Sequence, residues 1–246
     1  MTDPTPAGPC ILFALRRESM FFRREFRPKR HFPQAPCPAW LATSGRSQVL
    51  VLETGIGAGR VTSALEWLLE GPVQPEVIVS AGFSGALQVD LRVGDLILAT
   101  EVTDLGGNRW PVPWPMEVAA GAADLPLRRG RLLAVPHLVA GPADKRKLGE
   151  DHRALAADME SATVASLCSG RGIPFGCVRA VSDEVHTALS PRLVSLLSGG
   201  RVSPFRLLRA IVASPRLARD CWRLARQTRW AAQQLSKALR SLLAGP

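Results

Sequence analysis

The chain has 246 residues, of which 46% are hydrophobic and 21% charged. That length buries a sizeable core, and that balance excludes a chain disordered throughout. The formal net charge is +10, with arginine dense at 16–30 and again at 201–240; such clusters attract anionic surfaces or form solvated helix faces.

The first ten residues are rich in proline and lack a charged stretch followed by an apolar one. No apolar run approaches the length of a bilayer span, so a cytoplasmic protein is expected. Cys10, Cys37, Cys168, Cys177 and Cys221 form no CxxC pair. Neither a zinc site nor a disulfide framework is expected, and a reducing compartment fits.

The run 11–15 (ILFAL) reads as a buried strand, and 16–40 as part helix and part loop. A second buried strand, 48–52 (QVLVL), ends in the glycine turn 54–59. A helix follows from about 60 to 69, with Val61, Leu65, Leu68 and Leu69 on one face. The third strand, 76–81, ends in Gly82-Phe83-Ser84-Gly85, and a turn at 93–95 enters a fourth strand reaching Ala99. The stretch 106–126, with Trp110 and Trp114, reads as a long loop. Strands are expected at 131–136 and 175–181, with a helix at 159–168 between them.

In the tail, Leu217, Cys221, Leu224, Thr228, Ala231, Leu235, Leu239 and Leu242 share a helical face. Arg219, Arg223, Arg226 and Arg229 fall opposite. Such a basic amphipathic helix covers its own core, a partner or an anionic membrane surface.

Strand, glycine turn, helix, strand is the rhythm of a sheet covered by helices. The expected fold is a three-layer α/β/α with a central mixed, mostly parallel sheet. The expected division is a catalytic domain at 10–195 and a helical, basic extension at 196–246. In such sheets ligands gather at the C-terminal strand ends. The glycine turns, Glu18 and Ser182-Asp183 fall there. The first turn is no dinucleotide fingerprint, because Arg60 stands where the last glycine of GxGxxG is needed.

Glu18, Glu160 and Asp183 are the isolated acids near those ends. A carboxyl group can give a proton, accept from a diol, or take a proton from water. Each also has a plain structural reading: Glu160 as a solvent-facing helix residue, Asp183 as a cap.

Blocks 11–19 (ILFALRRES), 54–65 (TGIGAGRVTSAL), 77–99 (VIVSAGFSGALQVDLRVGDLILA) and 158–183 (DMESATVASLCSGRGIPFGCVRAVSD) carry a resemblance. Together they resemble the purine and uridine phosphorylase superfamily, including the methylthioadenosine/adenosylhomocysteine nucleosidases. The DMES box followed by RAVSD is the specific part.

The resemblance implies a purine nucleosidase that cleaves an N-glycosidic bond without metal or organic cofactor. It implies that Glu18 orients the attacking water and that Met159 and Glu160 hold the ribose. It implies that Asp183, beside Ser182, serves the purine N7, and that Gly82, Phe83, Ser84 and Gly85 line the nucleophile and ribose side. Gly55 and Gly57 are expected to let backbone approach the substrate.

The sequence also departs from the family. The phosphorylases carry an arginine before their glycine loop and a GDPxR-like box, both for phosphate. Here Ser80 precedes the loop and no such box exists, with Arg16 or Arg17 the substitutes on offer. The departure favours hydrolysis over phosphorolysis. The chain has no tyrosine, so the loops around base and 5′-group are rewritten.

DMES, Lys145 after a Gly-Pro-Ala stretch and the Arg-rich tail resemble the hopanoid-associated branch of the superfamily. That likeness implies adenine release from adenosylhopane, a lipid-linked purine nucleoside, in hopanoid biosynthesis. Phe21, Phe22, Phe26 and Phe32 then line a lipid path or serve as ordinary core aromatics. It also implies a homodimer and leaves room for peripheral membrane contact through the tail. The rival readings are a phosphorylase, a methylthioadenosine nucleosidase, and an inactive nucleoside- or RNA-binding module. No stacking-aromatic motif supports nucleic acid as a partner.

Overall fold

The computed structural model describes residues 8–44, 47–71, 75–113, 127–188 and 215–244. In chain order the strands are β1 (Cys10–Phe13), β2 (Arg30–His31), β3 (Ala39–Ser44), β4 (Ser47–Glu53), β5 (Ile78–Ala86), β6 (Leu96–Asp104), β7 (Arg109–Pro111), β8 (Leu127–Ala134), β9 (Ala156–Asp158) and β10 (Phe175–Asp183). The helices are α1 (Arg16–Ser19), α2 (Phe22–Glu25), α3 (Ala58–Glu70), α4 (Pro142–His152), α5 (Ser161–Gly170) and α6 (Pro215–Ala244).

All strands join one mixed sheet. Parallel ladders link β4–β1–β5–β10 and β6–β8–β9. Antiparallel pairs β10–β6 and β5–β9 join these sets, so β5, β10, β6, β8 and β9 close a circuit. On the open side, β3 and β2 extend the sheet antiparallel beyond β4.

Side chains alternate across a strand, and here they feed two cores. Leu12, Leu50 and Leu52 pack with Val61, Leu65 and Leu68 of α3 and Val164 and Cys168 of α5. Their neighbours Ile11, Phe13, Val49 and Val51 pack with Phe22, Phe26, Leu235, Leu239 and Leu242 on the other face. The architecture is therefore the expected three layers. Of the roles open to the tail helix, its C-terminal half takes the first: Ala231, Leu235, Ala238, Leu239 and Leu242 are buried. Burying each leucine contributes about 2 kcal/mol. Arg240 pairs with Glu25 at 3.0 Å and the Trp230 indole lies against Gly94. The N-terminal half leaves Trp222, Arg223, Arg226 and Arg229 exposed. The boundary expected at 195/196 lies outside the described residues.

Several expectations are corrected. Gly82–Gly85 is no turn: β5 runs through it, paired with β10 as far as Asp183. Ser182 and Asp183 likewise lie within β10, not after it. Met159 and Glu160 precede α5 instead of opening it, since Glu160 is its N-cap. The stretch read as a loop from 106 contains β7, paired with β6; 114–126 lie outside the described residues. Phe22 and Phe26 stack at 4.4 Å inside the core, so they line no lipid path. Segment 16–40 holds β2 and the start of β3 besides helix, because Trp40 and Ala42 alternate into the core beside β4.

Candidate active site

Glu18 sits on the short helix that leaves β1. Its Oε2 accepts from the Leu15 amide at 2.7 Å, and its Oε1 from the Phe83 amide at 2.8 Å. The first bond is the Glu half of a capping box, with Glu18 at N3; Leu15 has no side-chain acceptor, and its carbonyl accepts from the Glu18 amide at 3.0 Å instead. The second crosses from β5. The side chain is buried, and that burial pushes its pKa up to about 7 despite the two amides. Gly82 makes this seat possible: a β-carbon there would stand 2.7 Å from Oε1.

Glu160 faces the same cleft from the start of α5, where its Oε1 accepts from the Gly57 amide at 3.1 Å. Gly57 has φ +101°, a conformation that glycine reaches without strain. Burial raises the Glu160 pKa to about 7, helped by the charges of Asp158 and Glu18. Glu18, Glu160, Gly82, Phe83, Thr54 and Arg179 line this narrow cleft.

Arg179 is the cation lining the cleft among the described residues, and the sequence reading assigned it no role. It reaches Ser80 from the neighbouring strand, so the guanidinium comes from β10 instead of preceding the glycine segment. Its Nε and Nη2 donate to Asp158 Oδ2 at 2.9 and 2.6 Å. Its Nη1 donates to the carbonyls of Ser80 and Val178, and Nη2 to the Ser80 hydroxyl. Every guanidinium N–H thus has a protein acceptor. Asp158 also accepts from the amide and hydroxyl of Ser161, fixing the start of α5. Arg16, by contrast, is exposed and lines a separate surface hollow with Arg23, Arg24 and His31; Arg17 is exposed too.

A second group lies further along β5. Asp183 is buried opposite Gly85, and a β-carbon at 85 would stand 3.2 Å from its Oδ2. Its Oδ1 accepts from the Ser182 hydroxyl at 2.8 Å. Its Oδ2 accepts from the ammonium of Lys145, which α4 delivers. The Ser84 hydroxyl is buried nearby without a partner among the described residues. Met159 packs beside Leu87 and Leu133, and Gly55, at φ +84°, holds the Arg60 side chain against it.

The structure therefore gathers Glu18, Gly82, Phe83, Glu160 and Gly57 at one cleft, and Ser182, Asp183, Ser84 and Gly85 beside it. Lys145, Arg179, Asp158 and Ser80 were missed as site residues. Arg179 and Asp158 stand inside the DMES–RAVSD block, which is the signal available for them. Among the described residues no group of three His, Cys, Asp or Glu is placed to hold a metal ion. No helix among them is long and apolar enough to cross a membrane.

Solved structures share this fold. The chain is similar to the 5′-methylthioadenosine/S-adenosylhomocysteine nucleosidase of Helicobacter pylori, with a TM-score of 0.73 and 18% identity over 97% of this chain and 98% of that one. It is similar to the futalosine hydrolase of the same organism at 0.74 and 18%, over 97% of each chain. The Neisseria meningitidis 5′-methylthioadenosine/S-adenosylhomocysteine nucleosidase gives 0.74 and 16%, over 96% and 98%. The model of the phosphorylase superfamily matches residues 14–194, most of the chain and both groups of site residues. The chain belongs to the phosphorylase superfamily, whose enzymes are N-ribosyl hydrolases or pentosyltransferases.

Proposed function

We propose that this protein hydrolyses the N-glycosidic bond of a 5′-substituted adenosine and releases adenine. The observation that carries the reading is Glu18, a buried carboxylate with a pKa near 7, in a cleft whose lining guanidinium has no N–H to spare. A base of that strength takes a proton from water at neutral pH. A phosphate dianion would meet a carboxylate and find no free donor on Arg179, which supports hydrolysis over phosphorolysis.

In this mechanism Glu160 accepts from the 2′- and 3′-hydroxyls as the ribose gains positive charge. Glu18 orients water beneath the anomeric carbon and takes its proton. Asp183 gives a proton to N7, so that the base leaves neutral. Met159 and Phe83 shape the walls, and Gly57 lets backbone approach; Gly55, covered by Arg60, takes no part. No metal or organic cofactor takes part in these steps.

The substrate we put forward is a lipid-linked nucleoside of the adenosylhopane type. Trp222 and Trp230 are exposed on α6, with Arg226 over the first ring and Lys237 over the second. Aromatic and basic side chains on one helix suit an anionic bilayer surface, which supports peripheral contact where such a substrate resides. The unpaired thiols support a reducing, cytoplasmic setting. A homodimer belongs to the same reading, and sedimentation reads it directly.

The test is adenine release from adenosine, methylthioadenosine and adenosylhopane in micelles, with and without phosphate. Phosphate-independent release from the hopanoid supports the full reading. Release only from methylthioadenosine moves the substrate. Release only with phosphate makes the enzyme a phosphorylase. Asp183→Asn is expected to lower turnover at least about 100-fold, the ordinary contribution of a general acid; near-parental turnover sinks its role.

A further inference from the structure

The nucleosidase reading asks Asp183 to give up a proton, yet both its oxygens receive hydrogen bonds. The Ser182 hydroxyl donates to Oδ1 and the Lys145 ammonium to Oδ2. Lys145 is 1% exposed and stands on a helix whose other side chains are mostly polar, Pro142, Ala143 and Leu148 apart. A buried ammonium on such a helix is costly unless its protons are all received. They are: Nζ also donates to the Glu184 carbonyl at 3.0 Å and the Thr187 carbonyl at 3.3 Å. Lys145 therefore ties α4 to the end of β10 and to the residues that follow it. Nothing in the packing of α4 demands a cation there, since its other buried position is Gly149.

Resting on the nucleosidase reading, we propose that Lys145 is a positioning residue for the leaving-group acid, holding Oδ2 of Asp183 and supplying the proton that Asp183 passes on. As the C1′–N9 bond breaks, its electron pair stays with the base. One proton moves from Nζ to Oδ2 and from Oδ2 to N7, and the N–H electron pair remains on Nζ. The attacking water gives its proton to Glu18 as its oxygen bonds to C1′. One turnover thus leaves Lys145 neutral and Glu18 protonated, and exchange with solvent restores both.

The experiment compares the parent with Lys145→Met and Lys145→Gln on two substrates, after a thermal melt shows each variant folded. One substrate is the adenine nucleoside that the parent cleaves. The other is 4-nitrophenyl β-ribofuranoside, whose leaving group departs without being protonated. Both variants are expected to lose about 100-fold or more in kcat on the adenine nucleoside, the scale of acid catalysis. KM should stay within about threefold, and the nitrophenyl riboside should lose less than about threefold in rate. Equal losses on both substrates, or near-parental turnover of the adenine nucleoside, overturn the proposal. If Met fails to fold, Gln, which keeps a donor toward Oδ2, carries the comparison. If neither variant folds, Lys145 is a structural ion-pair partner and the proposal falls. A parent that cleaves neither substrate overturns the nucleosidase reading itself, and the proposal with it.

Discussion

The carboxylate of Glu18 rests against the α-carbon of Gly82, so closely that a β-carbon there would stand 2.7 Å from Oε1. The Phe83 amide, next along β5, donates to that same oxygen. A strand in mid-course thus carries a glycine because a carboxylate from another element occupies the space of its side chain.

Gly82→Ala should therefore unseat Glu18. The expected loss is at least about 100-fold in kcat/KM, with a stability cost of about 1–3 kcal/mol for overpacking. Gly59→Ala is the contrast. It lies in α3, where no described residue comes within 4 Å of the place a β-carbon would take, and its φ is not positive. It should raise stability by about 0.5–1 kcal/mol and leave the rate alone. Urea midpoints and initial rates for the two variants check the pair, and equal behaviour would contradict it.

Activity should follow the ionisation of Glu18. The base form is needed, and burial places its pKa at about 7. Log kcat/KM is expected to rise with pH below that value and level off above it. Glu160, also at about 7, must be ionised to grip the ribose and steepens the acidic limb. A profile measured from pH 5 to 9 that is flat, or that falls with pH, would remove Glu18 from the base role.

The same shift has a stability consequence of opposite benefit. The folded Glu18 holds its proton up to about 7, whereas the ordinary value is 4.5. Between those values the folded state binds a proton that the unfolded chain has released. Stability from this group is complete below about 4.5 and is lost as pH rises through 7. Glu18→Gln should abolish turnover yet stabilise the fold by about 1–3 kcal/mol at pH 8 and hardly at all at pH 4. Denaturant titrations at the two pH values read the difference, and a variant less stable at pH 8 than the parent refutes it.

Arg179 and Asp158 form a buried pair, 3% and 1% exposed at the side chain. Arg179→Met leaves Asp158 charged and without its cation, which costs about 3–5 kcal/mol. The loss should include the start of α5, because Asp158 also holds the Ser161 amide and hydroxyl. Hydrogen exchange should accelerate first at Ser161–Gly170. Uniform exchange across the chain would show that the pair does not anchor this helix.

Much of this was legible in one dimension. Apolar runs at 11–15 and 48–52 announced buried strands, since buried β-structure leaves a short continuous apolar signature. The leucines at 235, 239 and 242 announced a helix with one dry face. Glu18, Glu160 and Asp183 were recognisable as candidates because few residue types can both hold a diol and move a proton. Other features left no local trace. Glycine signals a turn, so Gly82–Gly85 concealed a strand that continues straight through. Helix α4 escaped because its buried positions, Lys145 and Gly149, are not apolar. What only the tertiary structure decided is who meets whom. Lys145 reaches Asp183 across 38 residues, and Arg179 reaches Ser80 across 99. Strand register and the closure of the sheet bring those partners together. Periodicity tells which face of an element is dry, but it carries no information about which distant element will cover it.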